Sequence, residues 1–509
     1  MSPRFGRLRL KQSKGKKGYT AVQKRNLDQV LALNQHPEDK TVDREVVYGY
    51  ADEVGFHLYA ELRLTLNVSA PEDSDSINRY LNLVEQFAEI AQGAINLVGG
   101  RILEVQGQVI HFFIQASSQG DVSRPLTFAT ALIRMAYAQI KPAAGDRVWK
   151  GFAVAFDHGR TVMLSAPFGG GSVVSLGPAA NRPAKRLGKG VPSGHVAVPW
   201  QLAAGVECGR REDDWKLIQV EQSSEDLKSY FDENLEGPLG KLAKKVLQSP
   251  RTAGREFVKV IGSDSLASKP FVGQVVCIRA DLDGFTKAVN RAFEKGESGV
   301  QALVEEFTKI MAYPTQFIRR GLNGRGVVEL PWAGDCCTLA VIPSPQEGIE
   351  GLRGVAPVEL GREWHDIGEK EAKYWRPVLQ GAAWATGFAS GGRDEGDGWV
   401  VVAEIGIGTR RFRIIAGWGA RKAKDAQEAP GVQAGGIAVP NEDYRLLDTE
   451  LKTLFRQEIG HPSVWISTHE KCKQGERRVR QRIKHTAASI DDPGKPTHPQ
   501  PRPYAGWLR

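Results

Sequence analysis

The chain carries a near-copy of itself, and this repetition narrows the folds open to it more than any other feature. Ala51-Asp52-x-x-Gly55-Phe56 recurs 229 residues later as Ala280-Asp281-x-x-Gly284-Phe285. A stretch with helical apolar spacing follows each: Leu81, Val84, Phe87 and Ile90 in one, Leu303, Phe307, Ile310 and Met311 in the other. Gly100-Arg101 then answers to Gly324-Arg325, and Gly107-Gln108 to Gly334-Asp335 at an offset of 227. Gly177 pairs with Gly419 at 242, and Ala197-Val198-Pro199 with Ala438-Val439-Pro440 at 241. Landmarks in one order with a slowly growing offset predict a duplicated domain.

Each copy reads as strand, helix, helix and hairpin, followed by further strands and helices. That order predicts an α+β chain of two tandem units, each a mostly antiparallel sheet covered by helices. The expected division is a basic N-terminal arm over 1–40, a first unit over 41–215 and a connector over 216–270. A second unit over 271–455 and a basic, proline-rich tail over 456–509 complete it. The 509 residues, 41% hydrophobic and 25% charged, suit a soluble globular chain of two or three domains. No apolar run approaches the roughly 18 residues of a membrane span. Residues Met1 to Lys17 are basic without an apolar core, so neither membrane insertion nor secretion is expected. Five cysteines fit no disulfide framework or zinc spacing, and a cytoplasmic location is the expectation. The net charge of +9 is carried largely by the two ends, without interleaved aromatics. No stable nucleic-acid complex is therefore expected.

The second copy holds the residues with chemistry. Val275-Val276-Cys277-Ile278 predicts a strand that ends on Asp281 and turns at Gly284. Asp335 precedes a second apolar run, Thr338 to Ile342, read as one arm of a hairpin. Two aspartates on neighbouring strands, beside a turn whose Asp283, Gly284 and Phe285 amides can face phosphate, suit two hard cations holding a triphosphate. Asp-x-Asp-Gly also opens calcium loops, but Val289 and Arg291 stand where the required glutamate would be. A polymerase-type palm is disfavoured because Ala333-Gly334-Asp335-Cys336 lacks the second carboxylate.

Ala280-Asp281-Leu282-x-Gly284-Phe285-Thr286, followed by Gly334-Asp335, resembles the paired metal motifs of class III nucleotidyl cyclases. The whole chain is similar to the bacterial pyrimidine (uridylate or cytidylate) cyclases of anti-phage cyclic-nucleotide signalling. The resemblance implies two ferredoxin-like cyclase domains and one composite active site. Asp281, Asp335 and the Leu282 carbonyl would hold two Mn2+ or Mg2+ ions. The other half would supply Asn181, four residues past Gly177, and a cation at Lys185 or Arg186, with Arg182 a third candidate. The first half keeps Asp52 but has Gln108 at the second metal position, and the second half has Ala423 and Gln427 in place of the asparagine and the cation. One competent site and one vestigial site are expected.

For the base, the resemblance points to Glu104, three residues before Gly107, and to Tyr50, two before Asp52. Val174 stands where purine cyclases carry a polar reader. These positions favour UTP, with CTP close behind, and cyclic UMP read by a separate effector protein. The alternatives are a cytidylate cyclase and a catalytically silent nucleotide-sensing homologue. Whether the halves close within one chain or across a homodimer stays open at this stage.

Overall fold

The computed structural model describes residues 50–474, apart from 66–73, 117–121, 166–172, 207, 221–232, 249–270, 320–324, 330–331, 333, 344–347, 374, 376, 391–399 and 408–409. The expected arm over 1–40 and the end of the tail lie outside the described residues.

The first half is built on β1 (Tyr50–Leu64), β2 (Gly100–Gln106), β3 (Val109–Gln115), β4 (Trp149–Ser165), β5 (Val173–Leu176), β6 (His195–Pro199), β7 (Arg210–Glu212) and β8 (Trp215–Gln219). The second continues with β9 (Phe271–Gly273), β10 (Val276–Leu282), β11 (Gly326–Glu329), β12 (Cys337–Ile342), β13 (Trp384–Ala389), β14 (Val400–Ile407), β15 (Arg410–Gly417), β16 (Gly436–Pro440), β17 (Arg456–Glu458) and β18 (His461–Thr468). The sheet orders are the same: β2-β3-β1-β4-β6-β8-β7 in one half and β11-β12-β10-β13-β16-β18-β17 in the other. Neighbours pair antiparallel except β4 with β6 and β13 with β16. β8 carries the first sheet past residue 215, and β17 and β18 carry the second past 455, so both expected boundaries move outward.

Strand alternation decides which face is core. Along β1, Phe56, Leu58, Ala60, Leu62 and Leu64 enter the first hydrophobic cluster. There they meet the apolar faces of α1 (Ser74–Leu97) and α2 (Ser123–Met135). Leu81, Val84, Phe87 and Ile90 are all buried on α1, as their spacing predicts. The opposite face of each sheet carries a shorter helix, α3 (Arg182–Gly188) in the first half. The expected connector is partly core: within α4 (Glu233–Gln248), Ala243 and Val246 join the first cluster. The second half repeats the scheme with α5 (Phe285–Glu294), α6 (Glu297–Arg319), α7 (Gly348–Ala372) and α8 (Trp418–Gln427). Leu303, Phe307 and Ile310 are buried on α6.

The halves exchange arms. Val162, Leu164, Val174 and Leu176, at the end of β4 and on β5, pack into the second half's core. Ile405, Ile407 and Phe412 of β14 and β15 pack into the first. Each such side chain contributes about 1.5–3 kcal/mol when fully buried. Seven of them make the interface part of both cores. The two halves therefore close on each other within one polypeptide.

Candidate active site

β10 positions the first carboxylate by alternation. Ile278, Ala280 and Leu282 point into the core, which leaves Arg279 and Asp281 on the opposite, cleft-facing side. The chain then turns at Gly284, whose φ of 79° is left-handed and suits glycine. Phe285 is buried against Phe307, with ring centroids 5.1 Å apart, and fixes the start of α5 beneath the turn. No side chain caps that helix. The Gly284, Phe285 and Thr286 amides thus form the open N-terminus of a ten-residue helix, an anion-favouring end. The Asp283 amide is not part of it, contrary to expectation, because it donates to the Ala383 carbonyl at 3.0 Å.

Asp335 follows Gly334, which sits at φ 64° in the hairpin turn before β12. Asp335 is buried and shares a hydrogen bond with Asp281, and the Leu282 amide donates to it. Burial, followed by the charge of Asp281, holds the Asp335 carboxyl well above the usual range. Burial also raises Asp281, against the pull of Arg279. A buried and a half-buried carboxylate this close need positive charge between them, and all-oxygen ligands suit hard divalent ions. The residues fit a metal pair.

The first half faces this site directly. Asn181 caps α3 without bonding its own helix, and its amide nitrogen lies 3.1 Å from where a Cβ on Gly334 would stand. One helical turn on, Lys185 Nζ donates to Thr286 Oγ1 at 3.0 Å, and its charge acts on both aspartates. Arg186 does not reach the cleft. It is buried and paired with Glu212 of β7 at 2.5 Å, so the expectation for it is corrected. Arg182 is held by Asp157 at 2.9 Å and lies over the Trp215 ring.

Strand register corrects the alignment of the two copies. Ala155 pairs with Ala197, and Gly387 with Ala438, which makes Ala153 the counterpart of Ala385. Ala153 pairs with Glu61 and Ala385 with Asp281, so Ala60-Glu61-Leu62 is the true match to Ala280-Asp281-Leu282. Asp52 lies nine residues upstream and forms an ion pair with Arg160 at 2.6 Å. Tyr50 opens β1 opposite Leu164, so it does not hold the pocket-strand position expected of it. Tyr59 and Arg279 hold that position in the two halves.

Gln108 does correspond to Asp335. Its side chain accepts from the Leu64 amide at 2.9 Å and donates to the Leu64 carbonyl and the Tyr80 hydroxyl. It fills the space of a metal site. Continuing the register, Leu176 matches Ala416, so Gly177 matches Gly417 rather than Gly419. The residues opposite Asn181 and Lys185 are then Arg421 and Asp425. Ala423 and Gln427 are instead buried, packed on Gly387. Glu61 is tied to Arg63 at 2.7 Å. The second cleft has neither a carboxylate pair nor the matching cation.

Glu104 lies on the cleft face of the first sheet. A bulge at Leu103 aims it beside His111, its partner across the ladder. Burial pushes its carboxyl up to about 8, against a hydrogen bond from Gln106, so at neutral pH it is a protonated acid that both donates and accepts. Tyr59 stacks on His111 at 4.0 Å and bonds Ser175, while His57 Nδ1 lies 3.0 Å from His111 Nε2. Val174 turns into the second half's core. Tyr59, His111 and Ser175 were missed, though polar residues at every second position of β1 (His57, Tyr59, Glu61) signalled a polar face.

A separate cluster, Asp366, Glu369 and His469, has metal-type ligands within 4.8 Å of one another. Lys473 Nζ lies 3.1 and 3.0 Å from its two carboxylates, which makes it a salt-bridge network. Among the described residues, no helix is long and apolar enough to cross a membrane.

No family model matches the sequence, and no curated protein matches it. Among solved structures, a class III adenylyl cyclase-like ATP-binding protein from Pseudomonas aeruginosa aligns over 88% of this chain and 98% of its own, with a TM-score of 0.64 and 15% identity. The adenylyl cyclase CyaB from P. aeruginosa aligns over 39% of this chain and 94% of its own (TM-score 0.28, 19% identity). The guanylyl cyclase Cya2 aligns over 33% and 90% (TM-score 0.25, 13% identity). By the whole-length match, the chain has the class III adenylyl cyclase-like fold, with two α+β units in one polypeptide.

Proposed function

We propose that the chain is a nucleotidyl cyclase that converts a pyrimidine nucleoside triphosphate, UTP ahead of CTP, into its 3′,5′-cyclic monophosphate and pyrophosphate. The observation that carries this reading is the cleft itself: a hydrogen-bonded Asp281–Asp335 pair faced by Asn181 and Lys185 of the other half. Two divalent ions, Mn2+ or Mg2+, held by Asp281, Asp335 and the Leu282 carbonyl, would supply activation of the ribose hydroxyl and neutralisation of the triphosphate. The Gly284, Phe285 and Thr286 amides bind the β- and γ-phosphates. Asn181 orients the ribose, so that the 3′-oxygen bonds to the α-phosphorus as the bond to pyrophosphate breaks. Lys185 stabilises the charge that builds on the α-phosphate oxygens.

The pyrimidine preference rests on Glu104, a donor and acceptor on the base-facing sheet, and on the resemblance of the motifs. A diffusible product that acts through a separate effector in antiviral defence rests on that resemblance as well. The test is incubation of the purified chain with each of four NTPs and Mn2+ or Mg2+, with products read by mass spectrometry. Cyclic UMP should dominate and should disappear with EDTA. Dominant cyclic AMP or GMP would remove the base assignment. Nucleotide binding without a cyclic product, the property named for the ATP-binding neighbour, would replace the enzyme by a sensor.

A further inference from the structure

Two neighbouring residues of α6 hold the two sides of the phosphate-facing turn. Phe307 packs against Phe285, where α5 leaves the turn. Glu306, one residue earlier on α6, reaches the other side, and its carboxylate accepts the buried Leu379 amide at 2.9 Å. From Leu379 the chain runs inward to the site. The Ala382 amide donates to the Leu379 carbonyl at 3.0 Å, and the Ala383 carbonyl accepts the Asp283 amide at 3.0 Å. Trp384 then opens β13 opposite Leu282. The short segment from Leu379 to Ala383 is thus pinned to α6 at one end and to the turn at the other.

A carboxylate is a costly choice for this place. Glu306 is 3% exposed, and its second oxygen has no hydrogen-bond partner among the described residues. Packing alone would favour an apolar side chain there, as at Leu303, Phe307 and Ile310 of the same helix. What the carboxylate supplies is an acceptor for the Leu379 amide, a buried donor that otherwise goes unpaired. The effect reaches the amides that follow Asp283. Those of Gly284, Phe285 and Thr286 have no capping side chain, and the Asp283 amide that precedes them takes its direction from Ala383.

We propose that Glu306 is a positioning residue for the phosphate-binding turn. By holding Leu379 it sets the 379–383 segment, and through Asp283 it aims the Gly284, Phe285 and Thr286 amides at the β- and γ-phosphates. This rests on the reading of the turn as a triphosphate site, but not on turnover there. Binding of 3′-deoxy-UTP, which cannot cyclise, and of 3′-deoxy-UMP is therefore measured by equilibrium dialysis with Mn2+. The two share base and sugar, so the ratio of their affinities isolates what the β- and γ-phosphates contribute. The full chain is compared with Glu306→Gln, which keeps an acceptor for Leu379, and with Glu306→Met, which keeps the length and loses the acceptor. Glu306→Asp, which draws the acceptor back by one methylene, replaces Glu306→Met if melting curves show that the latter does not fold.

Glu306→Met, or Glu306→Asp in its place, should lose about tenfold in affinity for 3′-deoxy-UTP and little for 3′-deoxy-UMP. Glu306→Gln should bind both as the wild type does. Equal losses for the two nucleotides would reduce Glu306 to general support of the fold and overturn the inference. So would an acceptor-free variant that binds 3′-deoxy-UTP normally, or a Glu306→Gln variant that fails as Glu306→Met does. A wild type that binds the triphosphate no better than the monophosphate would remove the phosphate site and this inference with it. The expected pattern of affinities, with no cyclic UMP formed from UTP, would sink the cyclase reading and leave this one standing.

Discussion

Lys185 of the first half donates a 3.0 Å hydrogen bond to Thr286 of the second, one residue past the buried anchor Phe285. The bond puts an ammonium group at the mouth of the Asp281–Asp335 site and ties the two halves at the point where phosphate charge would develop. Lys185→Met should lower kcat by about 10²–10³-fold, the usual loss for one electrostatic donor, with little change in melting temperature. Arg186→Met should do the reverse, since that side chain is buried and paired with Glu212. Steady-state kinetics and thermal melts on the two variants separate the roles. Equal kinetic losses would mean that the assignment of the cation is wrong.

Gly334 is the backbone side of the same contact. Its φ of 64° already disfavours a side chain, by roughly 1–2 kcal/mol. A Cβ there would also press on the Asn181 amide at 3.1 Å. Gly334→Ala should displace Asn181 and lower kcat about tenfold or more, while a melting curve shows a folded protein. Full activity in Gly334→Ala would remove Asn181 from the reacting geometry.

The other cleft supplies the control. Glu61→Gln and Asp425→Ala alter residues that occupy the places of Asp281 and Lys185 in a site already filled by Gln108. Activity should stay within about twofold of wild type in both. Gln108→Ala should instead cost about 1–3 kcal/mol of stability, because the Leu64 backbone groups and the Tyr80 hydroxyl lose their partner. Denaturant unfolding with parallel assays checks both. Abolished turnover in Glu61→Gln would mean that the second cleft takes part in the reaction.

Much of this organisation was legible in the residues, and the errors share a cause. The duplication, the helices and the pairing of Gln108 with Asp335 followed from periodicity and turn glycines, which survive divergence because backbone geometry demands them. The literal match of Asp52 to Asp281 misled because an aspartate can equally serve an ion pair on a long strand, as Asp52 does with Arg160. Only the ladder, which aligns Glu61 with Asp281, exposes the nine-residue slip. The same holds for Arg186: sequence puts it next to Lys185, but adjacent helical positions face different ways, and one faces the sheet. The face of Glu104 depended on a bulge at Leu103, which alternation cannot foresee.

That bulge leads to a pH dependence. Burial raises the Glu104 carboxyl from the usual range to about 8, so the folded chain keeps a proton there that the unfolded chain releases above about 4.5. The linked stability is therefore present in full below pH 4.5 and declines as pH rises towards 8. In the same way, a protonated Glu104 can donate to a base carbonyl below pH 8 but not above it. KM for UTP should rise between pH 7 and pH 9 in the wild type. Glu104→Gln keeps a donor and an acceptor without titrating, so its KM should stay level over that range. Parallel KM profiles for the two proteins would count against a protonated Glu104 as the base-reading group.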